Sequence, residues 1–450
     1  MKIKLIRSAT VTIKIGNYKI LKDPWLTDGE YYGSWSHYPK YNIKKNIDDI
    51  NLHNSIYVSH IHPDHCSEKT FKLIKKTIPV FIHKFHSPFL KKKIEGWGFN
   101  VFELENGKEF ELSKNIFISI YAADNCNPEL CYKFTGCADL SVKKSGSQNI
   151  DSIAVIRSKK KVIVNLNDSP YELAARVCKI IKSKYKNIDV AMLGYGGAGP
   201  YPQCFNNLKY SEKKKESYKK KISFLENAFN FLKILKPKYY LPFAGTYLLS
   251  GKLSNLNKLR GVATYDEAYD FLDKKILLNN LKILSMKINP GTEFDLTTNK
   301  ASQTYKKLSE KKIKLYINNQ LKYKKLEYED DPSPSLLNIF ELCEKAFERF
   351  KRNQSKYDIK LETDIFIKFK NKFIKIPHND DKIKLCEKKD MYKKKKFVLY
   401  VLSEKLLLRI LKGPRFAHWN NAEIGSHIKF LRKPNVYERN LYQAMCYFHA

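Results

Sequence analysis

The chain of 450 residues has few arginines, and this scarcity limits what its charge can mean. Of 83 basic residues only ten are arginine and 73 are lysine, and with 46 acidic residues the formal net charge is +37. Arginine is the residue best suited to bidentate reading of phosphates and bases, so its scarcity argues against nucleic-acid binding. We interpret the lysine excess first as a compositional property of the surface, second as an attraction for small anionic substrates, and last as a nucleic-acid site.

The sequence also lacks long apolar runs and a paired cysteine framework. It contains no stretch of 18 or more consecutive apolar residues, so no membrane-spanning helix is expected. The first residues alternate as strands do and do not resemble the apolar core of a signal peptide. Nine cysteines, an odd number, are spread through the chain rather than grouped as in secreted, disulfide-rich domains. These features predict a cytoplasmic protein.

Length and patterning predict a chain of about three domains with a mixed α/β (α+β) fold. A layered domain is expected over residues 1–260, a helical extension or linker over 261–334, and a small α+β domain over 335–450. Besides two strands between Lys2 and Asp23, strands are expected at Ser55–Ser59, Val80–His83, Ile116–Tyr121, Ser152–Arg157, Val162–Leu166, Val190–Leu193, Tyr239–Leu241, Asp364–Lys370, Phe373–Ile376 and Phe397–Leu402. Helices are expected at Lys69–Lys76, Tyr171–Lys184, Ser211–Lys236 with Ser211 as its cap, Gln303–Tyr316, Ser335–Arg352 and Val436–Phe448.

Histidine is scarce, with eleven in the chain, yet three of the eleven fall within six residues. The segment Ser59–Cys66 reads Ser-His-Ile-His-Pro-Asp-His-Cys and directly follows the strand that contains Tyr57. A loop leaving a buried strand can bring several of these nitrogens and oxygens to one ion. Such an ion lowers the pKa of its bound water to roughly 7 and so supplies a nucleophile. The cluster predicts a divalent metal site rather than a chance group of surface histidines.

This cluster resembles the H-x-H-x-D-H motif of the metallo-β-lactamase superfamily. The resemblance covers about residues 1–250 and implies a four-layered αββα sandwich with one or two metal ions at an edge of its sheets. It makes His60, His62, Asp64 and His65 metal ligands, with catalytic roles for Asp64 and His65. It also makes Asp168 a bridging carboxylate, although Asp168 also fits a turn or a helix cap. The Asp23-Pro24 pair matches the superfamily too, with a role for Asp23 that is either structural or catalytic.

The resemblance places two further histidine ligands of the complete dinuclear site, one in the segment Ala122–Cys131 and one at the end of the strand in Tyr239–Gly245. Both are missing, because the chain has no histidine between His86 and His378. Possible replacements are Asp124, Cys126, Glu129 and Cys131. A mononuclear site completed by Asp168 is equally compatible with the sequence. We interpret His83 and His86, which follow the motif closely, as structural.

Within the superfamily, the chain resembles the UlaG-type lactonases and, more specifically, the non-Rieske part of the CMP-N-acetylneuraminate hydroxylases. This subgroup resemblance depends on Asp23-Pro24-Trp25, Asp151-Ser152, Asn165–Asp168, Gly197–Pro202, Pro242–Gly245 and Ala417–Gly425. A Rieske cluster needs both a Cys-x-His and a Cys-x-x-His pair. Cys446 and His449 have the second spacing, but no Cys-x-His pair occurs in the sequence, so no electron-transfer centre of that kind is expected.

Two other segments are candidates for substrate contact. The loop Gly196–Pro200 either lets its backbone approach an anionic group, with Gly197, Gly199 and Tyr201 as binding residues, or is only a tight turn. Near the carboxyl end, His418 and His427, with the arginines Arg415 and Arg432, either line a pocket or pack at a domain interface.

Three functions follow from these features. The first is a metal-dependent hydrolase of a small anionic substrate such as a sugar phosphate, lactone or nucleotide sugar, with zinc as the expected metal and iron or manganese as alternatives. The second is an iron-dependent oxygenase that receives electrons from a separate protein. The third is a non-catalytic or nucleic-acid-processing protein with the same fold.

Overall fold

The computed structural model describes residues 1–125, 151–378 and 382–450. The strands in these ranges are β1 Lys2–Arg7, β2 Thr10–Ile15, β3 Tyr18–Lys22, β4 Trp35–Ser36, β5 Ser55–Tyr57, β6 Val80–His83, β7 Val101–Leu104, β8 Glu109–Ser113, β9 Ile116–Ala122, β10 Ser152–Ser158, β11 Val162–Asn165, β12 Val190–Gly194, β13 Tyr239–Phe243, β14 Leu248–Leu249, β15 Leu284–Ser285, β16 Glu293–Asp295, β17 Lys300–Ala301, β18 Asp364–Phe369, β19 Lys372–Ile376, β20 Lys384–Cys386, β21 Phe397–Val401 and β22 Lys429–Lys433.

The helices in the same ranges are α1 Ile43–Asn51, α2 Glu68–Phe71, α3 Phe89–Glu95, α4 Tyr171–Lys184, α5 Tyr210–Leu235, α6 Tyr265–Leu278, α7 Glu310–Asn319, α8 Leu336–Tyr357, α9 Lys388–Tyr392, α10 Glu404–Leu411, α11 Trp419–Ile424 and α12 Arg439–Met445. Short 3₁₀ helices span Gly251–Leu259 and Leu321–Tyr323. None of the helices in the described ranges is both long and apolar enough to cross a bilayer.

Two large mixed sheets form the amino-terminal part of the molecule. The first has the strand order β17-β16-β1-β2-β3-β5-β6-β7, and the second has the order β15-β13-β12-β11-β10-β9-β8. Strands β3, β5, β6 and β7 run parallel to one another, as do β11, β12, β13 and β15. Parallel pairing requires crossover connections, which explains why helices alternate with strands along this part of the chain.

The two sheets face each other with helices on their outer sides. One hydrophobic core joins Leu5 of the first sheet to Val155 of the second and continues to Leu232 of α5 behind the second sheet. A separate core packs Leu21, on the outer face of the first sheet, against Phe71 of α2. The order helix, sheet, sheet, helix confirms the predicted αββα sandwich, and it follows from strands that are apolar on both faces.

Several predicted boundaries differ from those observed. Two strands were expected before Asp23, but three form, because Ser8 adopts a left-handed φ of 30° and turns the chain between β1 and β2. Helix α5 is not capped by Ser211: it begins one residue earlier, and the backbone N–H of Lys209 donates to the Glu212 carboxylate. The helix expected over Gln303–Tyr316 begins only at Glu310, after the capping residue Ser309.

The carboxyl-terminal part is built on a third sheet with the order β20-β19-β18-β21-β22. Its hydrophobic core includes Phe347 of α8 and also Trp25, Tyr31 and Trp35 from the loop that follows β3. Aromatic side chains of the first 40 residues are therefore buried against residues more than 300 positions away. The division of the chain at residues 260 and 334 stays a prediction.

Candidate metal centre

The histidine motif lies where strands of both sheets end. His60 lies three residues after the end of β5, and Asp168 lies three residues after the end of β11 in the facing sheet. Asp23 follows β3, the parallel neighbour of β5. In layered α/β folds, the carboxyl ends of parallel strands are the usual place for ligand binding, because the loops that leave them converge there. The topology therefore positions residues distant in sequence at one point.

Three predicted ligands, His60, His65 and Asp168, come together at this edge. Each offers one ligand atom, and these three atoms lie within 4.8 Å of one another. Nε2 of His60, Nε2 of His65 and Oδ1 of Asp168 are buried, and no described residue gives them a hydrogen bond in good geometry. Buried polar atoms normally have partners, so three unpartnered ligand atoms at one point fit a divalent metal.

The carboxylate of Asp23 fixes the orientation of His65. Its Oδ2 accepts hydrogen bonds from His65 Nδ1 at 2.7 Å and from Ser59 Oγ at 2.7 Å, and its Oδ1 accepts from the Ser59 backbone N–H at 2.7 Å. With its proton on Nδ1, His65 presents Nε2 to the metal position. Asp23 itself has a left-handed φ of 42°, a strained conformation for a non-glycine residue. The observed contacts therefore make Asp23 the residue that orients His65.

The other two motif residues are placed differently. Asp64 accepts a hydrogen bond from the buried Tyr31 hydroxyl at 2.5 Å, and its second oxygen lies 3.5 Å from His65 Nε2. The His62 ring is perpendicular to that of His60 at 4.8 Å between centroids, and it does not belong to the three-residue cluster. Burial lowers the pKa of His62, and a hydrogen bond with Asn420 opposes this shift. Ligand roles for His62 and Asp64 stay predictions.

The pKa directions agree with two distinct histidine environments. Burial, together with the neighbouring His65 and His62, holds the pKa of His60 well below its usual range, so this ring is neutral and ready to ligate. For His65, burial alone would lower the pKa, but the charges of Asp168, Asp64 and Asp23 raise it well above the usual value. In the metal-free chain these carboxylates therefore favour a proton on His65, which an incoming cation would displace.

The loop that carries Asp168 is held by backbone and amide contacts. Asn167, with a left-handed φ of 52°, donates from Nδ2 to the Ser152 carbonyl at 2.6 Å, and its own carbonyl accepts from the Gly194 N–H at 3.1 Å. A Cβ at Gly194 would lie 2.3 Å from that Asn167 carbonyl oxygen, so only glycine fits there. This close contact fixes the loop that carries Asp168 against the end of β12.

The expected positions of the missing histidines are only partly described. Asp124 is fully buried after β9, whereas Cys126, Glu129 and Cys131 lie outside the described residues. At the last expected position, β13 ends with Phe243, followed by Ala244 in a left-handed conformation with φ 54°. His83 is buried within hydrogen-bond distance of Asn106, at 3.3 Å, which is a structural environment.

The glycine loop packs tightly against helix α5. A Cβ at Gly197 would lie 2.0 Å from carbons of the Phe224 ring, so packing alone explains why this residue is a glycine. Gly199 has a φ of +103° and open space around its Cα, and its carbonyl accepts from Gln203 at 2.6 Å. The Tyr201 hydroxyl donates to Glu216 at 3.0 Å. Substrate binding by Gly197, Gly199 and Tyr201 stays a prediction.

The carboxyl-terminal part contacts the site loop directly. His427 Nε2 donates to the Tyr31 backbone carbonyl at 2.7 Å, and His427 Nδ1 accepts from the Tyr328 hydroxyl at 3.0 Å. His427 thus packs between the two parts of the chain, one of the two roles left open by the sequence. Tyr31 in turn donates to Asp64, so this contact reaches the metal motif through one residue.

Three residues beside the cluster were given no site role by the sequence analysis, although Asp151 was part of the subgroup resemblance. Asp151, directly before β10, has Oδ1 3.4 Å from His60 Nδ1, and burial raises its pKa to about 7. Tyr31 lies in an aromatic loop that gives no sequence signal for a metal site. Lys22, by contrast, does have a sequence signal. The alternation of β3 places Lys22 on the same inward face as Ile20, where a lysine is unexpected.

Glu423 in α11 provides a test of the packing next to this region. Burial raises its pKa from 4.5 to about 8, so the unfolded chain loses this proton at a lower pH than the folded chain. The folded protein therefore loses stability as pH rises from about 4.5 to about 8. Glu423→Gln removes this loss of stability. We therefore expect the difference in unfolding free energy between Glu423→Gln and the parent to shift in favour of the variant by about 3–5 kcal/mol between pH 5 and pH 8.

Urea denaturation of parent and variant at both pH values measures this difference. Glu310→Gln is the matched control, because the Glu310 side chain is 78% exposed. If the unfolding free energies of the parent and Glu423→Gln changed with pH in the same way, Glu423 would be solvated, and this result would contradict the packing.

The chain has similarities to known proteins in both sequence and structure. No protein-family model matches the chain. In sequence it is similar to the cytidine monophosphate-N-acetylneuraminic acid hydroxylase of Danio rerio, with 24% identity over 316 residues, 66% of this chain and 47% of that protein. The inactive cytidine monophosphate-N-acetylneuraminic acid hydroxylase of Homo sapiens is 23% identical over 307 residues, 66% of this chain and 54% of that protein.

Among solved structures, the chain is similar to the isothiocyanate hydrolase from Delia radicum gut bacteria, with a TM-score of 0.43, 15% identity, and coverage of 66% of this chain and 99% of that one. A possible metal-dependent hydrolase from Veillonella parvula has a TM-score of 0.45 and 15% identity, with coverage of 65% and 98%. The chain spans about half the length of the curated relatives it matches. The sequence relatives confirm the predicted resemblance to the CMP-N-acetylneuraminate hydroxylase subgroup.

Proposed function

We propose that this chain, with its resemblance to the metallo-β-lactamase superfamily, is a metal-dependent hydrolase that acts on a small anionic substrate. The observation that carries the proposal is the buried cluster of His60, His65 and Asp168, whose ligand atoms lie within 4.8 Å of one another. Two imidazoles and one carboxylate leave coordination positions open, as catalytic zinc sites require. Zinc is the metal we expect there.

A divalent metal at this position would activate a water molecule and polarise the bond to be cleaved. Asp23 holds His65 in the tautomer that presents Nε2. Asp64 is the candidate general base, because its Oδ2 lies 3.5 Å from the same Nε2 while Tyr31 fixes its Oδ1. The proton removed from water would reside on Asp64 Oδ2. His60 and His65 are both buried, which keeps bulk water away from their rings.

The anionic character of the substrate is supported by charge near the glycine loop. Lys220 Nζ donates to the carbonyls of Ala198 and Tyr201, both at 3.1 Å, so a cation lies directly against this loop. The overall charge of +37 also favours the encounter with anions. We therefore propose sugar phosphates, lactones that carry a carboxylate, and nucleotide sugars as the substrate class, with Gly197, Gly199 and Tyr201 near the bound anion.

Hydroxylation by iron is the second candidate function. Its support is the sequence similarity to CMP-N-acetylneuraminic acid hydroxylases, together with a donor set of two histidines and one carboxylate that non-haem iron oxygenases also use. Because the sequence lacks the Cys-x-His pair that a Rieske cluster requires, electrons would have to come from a separate protein.

Metal analysis of protein purified without added metal separates these functions. We expect about one equivalent of zinc, and hydrolysis of at least one member of a panel of lactones, sugar phosphates and nucleotide sugars. His83→Gln, a buried histidine in a structural environment, should behave as the parent. Iron in place of zinc, with no hydrolysis, would support the hydroxylase. Less than about a tenth of an equivalent of any metal, even after reloading, would contradict both enzymes.

A further inference from the structure

Lys22 is the one fully buried lysine among the residues that the structure describes. It ends strand β3 and precedes Asp23, the residue that positions His65. Burial of an ammonium group in a protein interior costs several kcal/mol unless compensating charges surround it. A lysine at such a place therefore requires an explanation beyond packing.

The surroundings of the Lys22 ammonium are acidic on one side and aromatic on the other. Its Nζ lies 3.0 Å from Asp23 Oδ2, with both side chains 0% exposed. The same Nζ lies 4.0 Å from the centroid of the Phe243 ring, and no described residue accepts a hydrogen bond from it in good geometry. The ammonium is thus held by charge and by a cation–π contact rather than by a hydrogen-bond network.

The site carries more negative charge than one divalent ion balances. Four carboxylates, those of Asp23, Asp64, Asp151 and Asp168, surround His60 and His65. Burial lowers the pKa of Lys22 to about 8, and the charges of Asp23, Asp168 and Asp151 oppose this shift. The contact at 3.0 Å places the Lys22 ammonium against Asp23, the carboxylate that holds His65 among the other three.

The position of Phe243 links this lysine to the missing half of the site. Phe243 ends β13, near the segment where the superfamily resemblance places a further histidine ligand, and this chain has no histidine there. The Phe243 ring instead packs on the Lys22 ammonium. We propose that the Lys22 ammonium takes the place of a second metal ion, balancing the carboxylates so that the site holds a single divalent metal. This inference rests on the proposed metal-dependent function.

Metal stoichiometry tests the inference independently of catalysis. Parent and variants are dialysed against excess zinc, then against buffer, and zinc per folded chain is measured by mass spectrometry. We expect about one ion for the parent, about one for Lys22→Arg, which keeps the charge, and about two for Lys22→Met. Lys19→Met is the matched control: Lys19 lies on the same strand, forms an ion pair with the exposed Asp49, and should leave one ion bound.

Each outcome decides the proposal. Two ions in the parent, or one ion in a folded Lys22→Met, would overturn it while leaving the metal-dependent function intact. No ion in the parent would refute the proposed function and this inference together. Should Lys22→Met fail to fold, Lys22→Gln, which keeps polar atoms without the charge, is expected to bind the second ion, and one ion in that variant would overturn the inference.

Discussion

His60→Ala is expected to lower the affinity for zinc by about 100-fold or more. His60 supplies one of the three clustered ligand atoms, and its Nε2 is buried with no hydrogen-bond partner among the described residues. Removal leaves one imidazole and one carboxylate, too few for a stable catalytic zinc site. The measurement is competition against a chromophoric chelator, with folding checked by circular dichroism. Asp168→Ala should behave in the same way.

Two further variants show whether this loss is specific. In His53→Gln the replaced ring is also buried, but its nitrogens contact Thr12 Oγ1 at 2.9 Å and the Ile50 carbonyl at 2.7 Å, so metal binding should be unchanged. His62→Ala tests whether His62 is a metal ligand, as the motif predicts, or lies outside the ligand set, as in the three-residue cluster. We expect a smaller loss of zinc affinity than for His60→Ala. Equal retention of zinc by His60→Ala and the parent would contradict the site.

The metal motif and its fold were predictable because both depend on local sequence. A buried strand at Ser55–Tyr57 followed at once by three histidines is visible within ten residues. Strands β6 and β18 and helix α4 begin where the sequence predicts, since turn residues and apolar periodicity mark their limits. Asp168 was also predicted, from the superfamily resemblance, which places a bridging carboxylate after this strand, β11, of the facing sheet.

The rest of the site depends on contacts between distant segments. Asp151 meets His60 across 91 positions, and His427 reaches Tyr31 across 396. No spacing rule predicts such pairs, since sheet order and domain packing bring them together. Lys22 is different, because the alternation of β3 alone places it inward. The error there was to treat lysine as a surface residue in a chain that has 73 of them.

The second large effect is expected for Asp23→Ala, which should lower the free energy of unfolding by about 3–5 kcal/mol. The substitution removes the acceptor for Ser59 and His65 and leaves the fully buried Lys22 ammonium without its closest countercharge. Breaking a buried pair from one side costs more than removing both partners, because the remaining charge stays desolvated. The double variant Lys22→Met/Asp23→Ala should therefore be more stable than Asp23→Ala alone.

Urea denaturation at pH 7 of the parent, both single variants and the double variant gives the coupling free energy. The exposed pair Lys19–Asp49, at 2.8 Å with side chains 21% and 48% exposed, is the control cycle. Its coupling should stay below about 1 kcal/mol, because solvent screens exposed ion pairs. If the double variant were as unstable as Asp23→Ala, the cost would arise from the lost hydrogen bonds to Ser59 and His65. The charge of Lys22 would then contribute nothing to holding Asp23, and its burial beside the metal ligands would need a different cause.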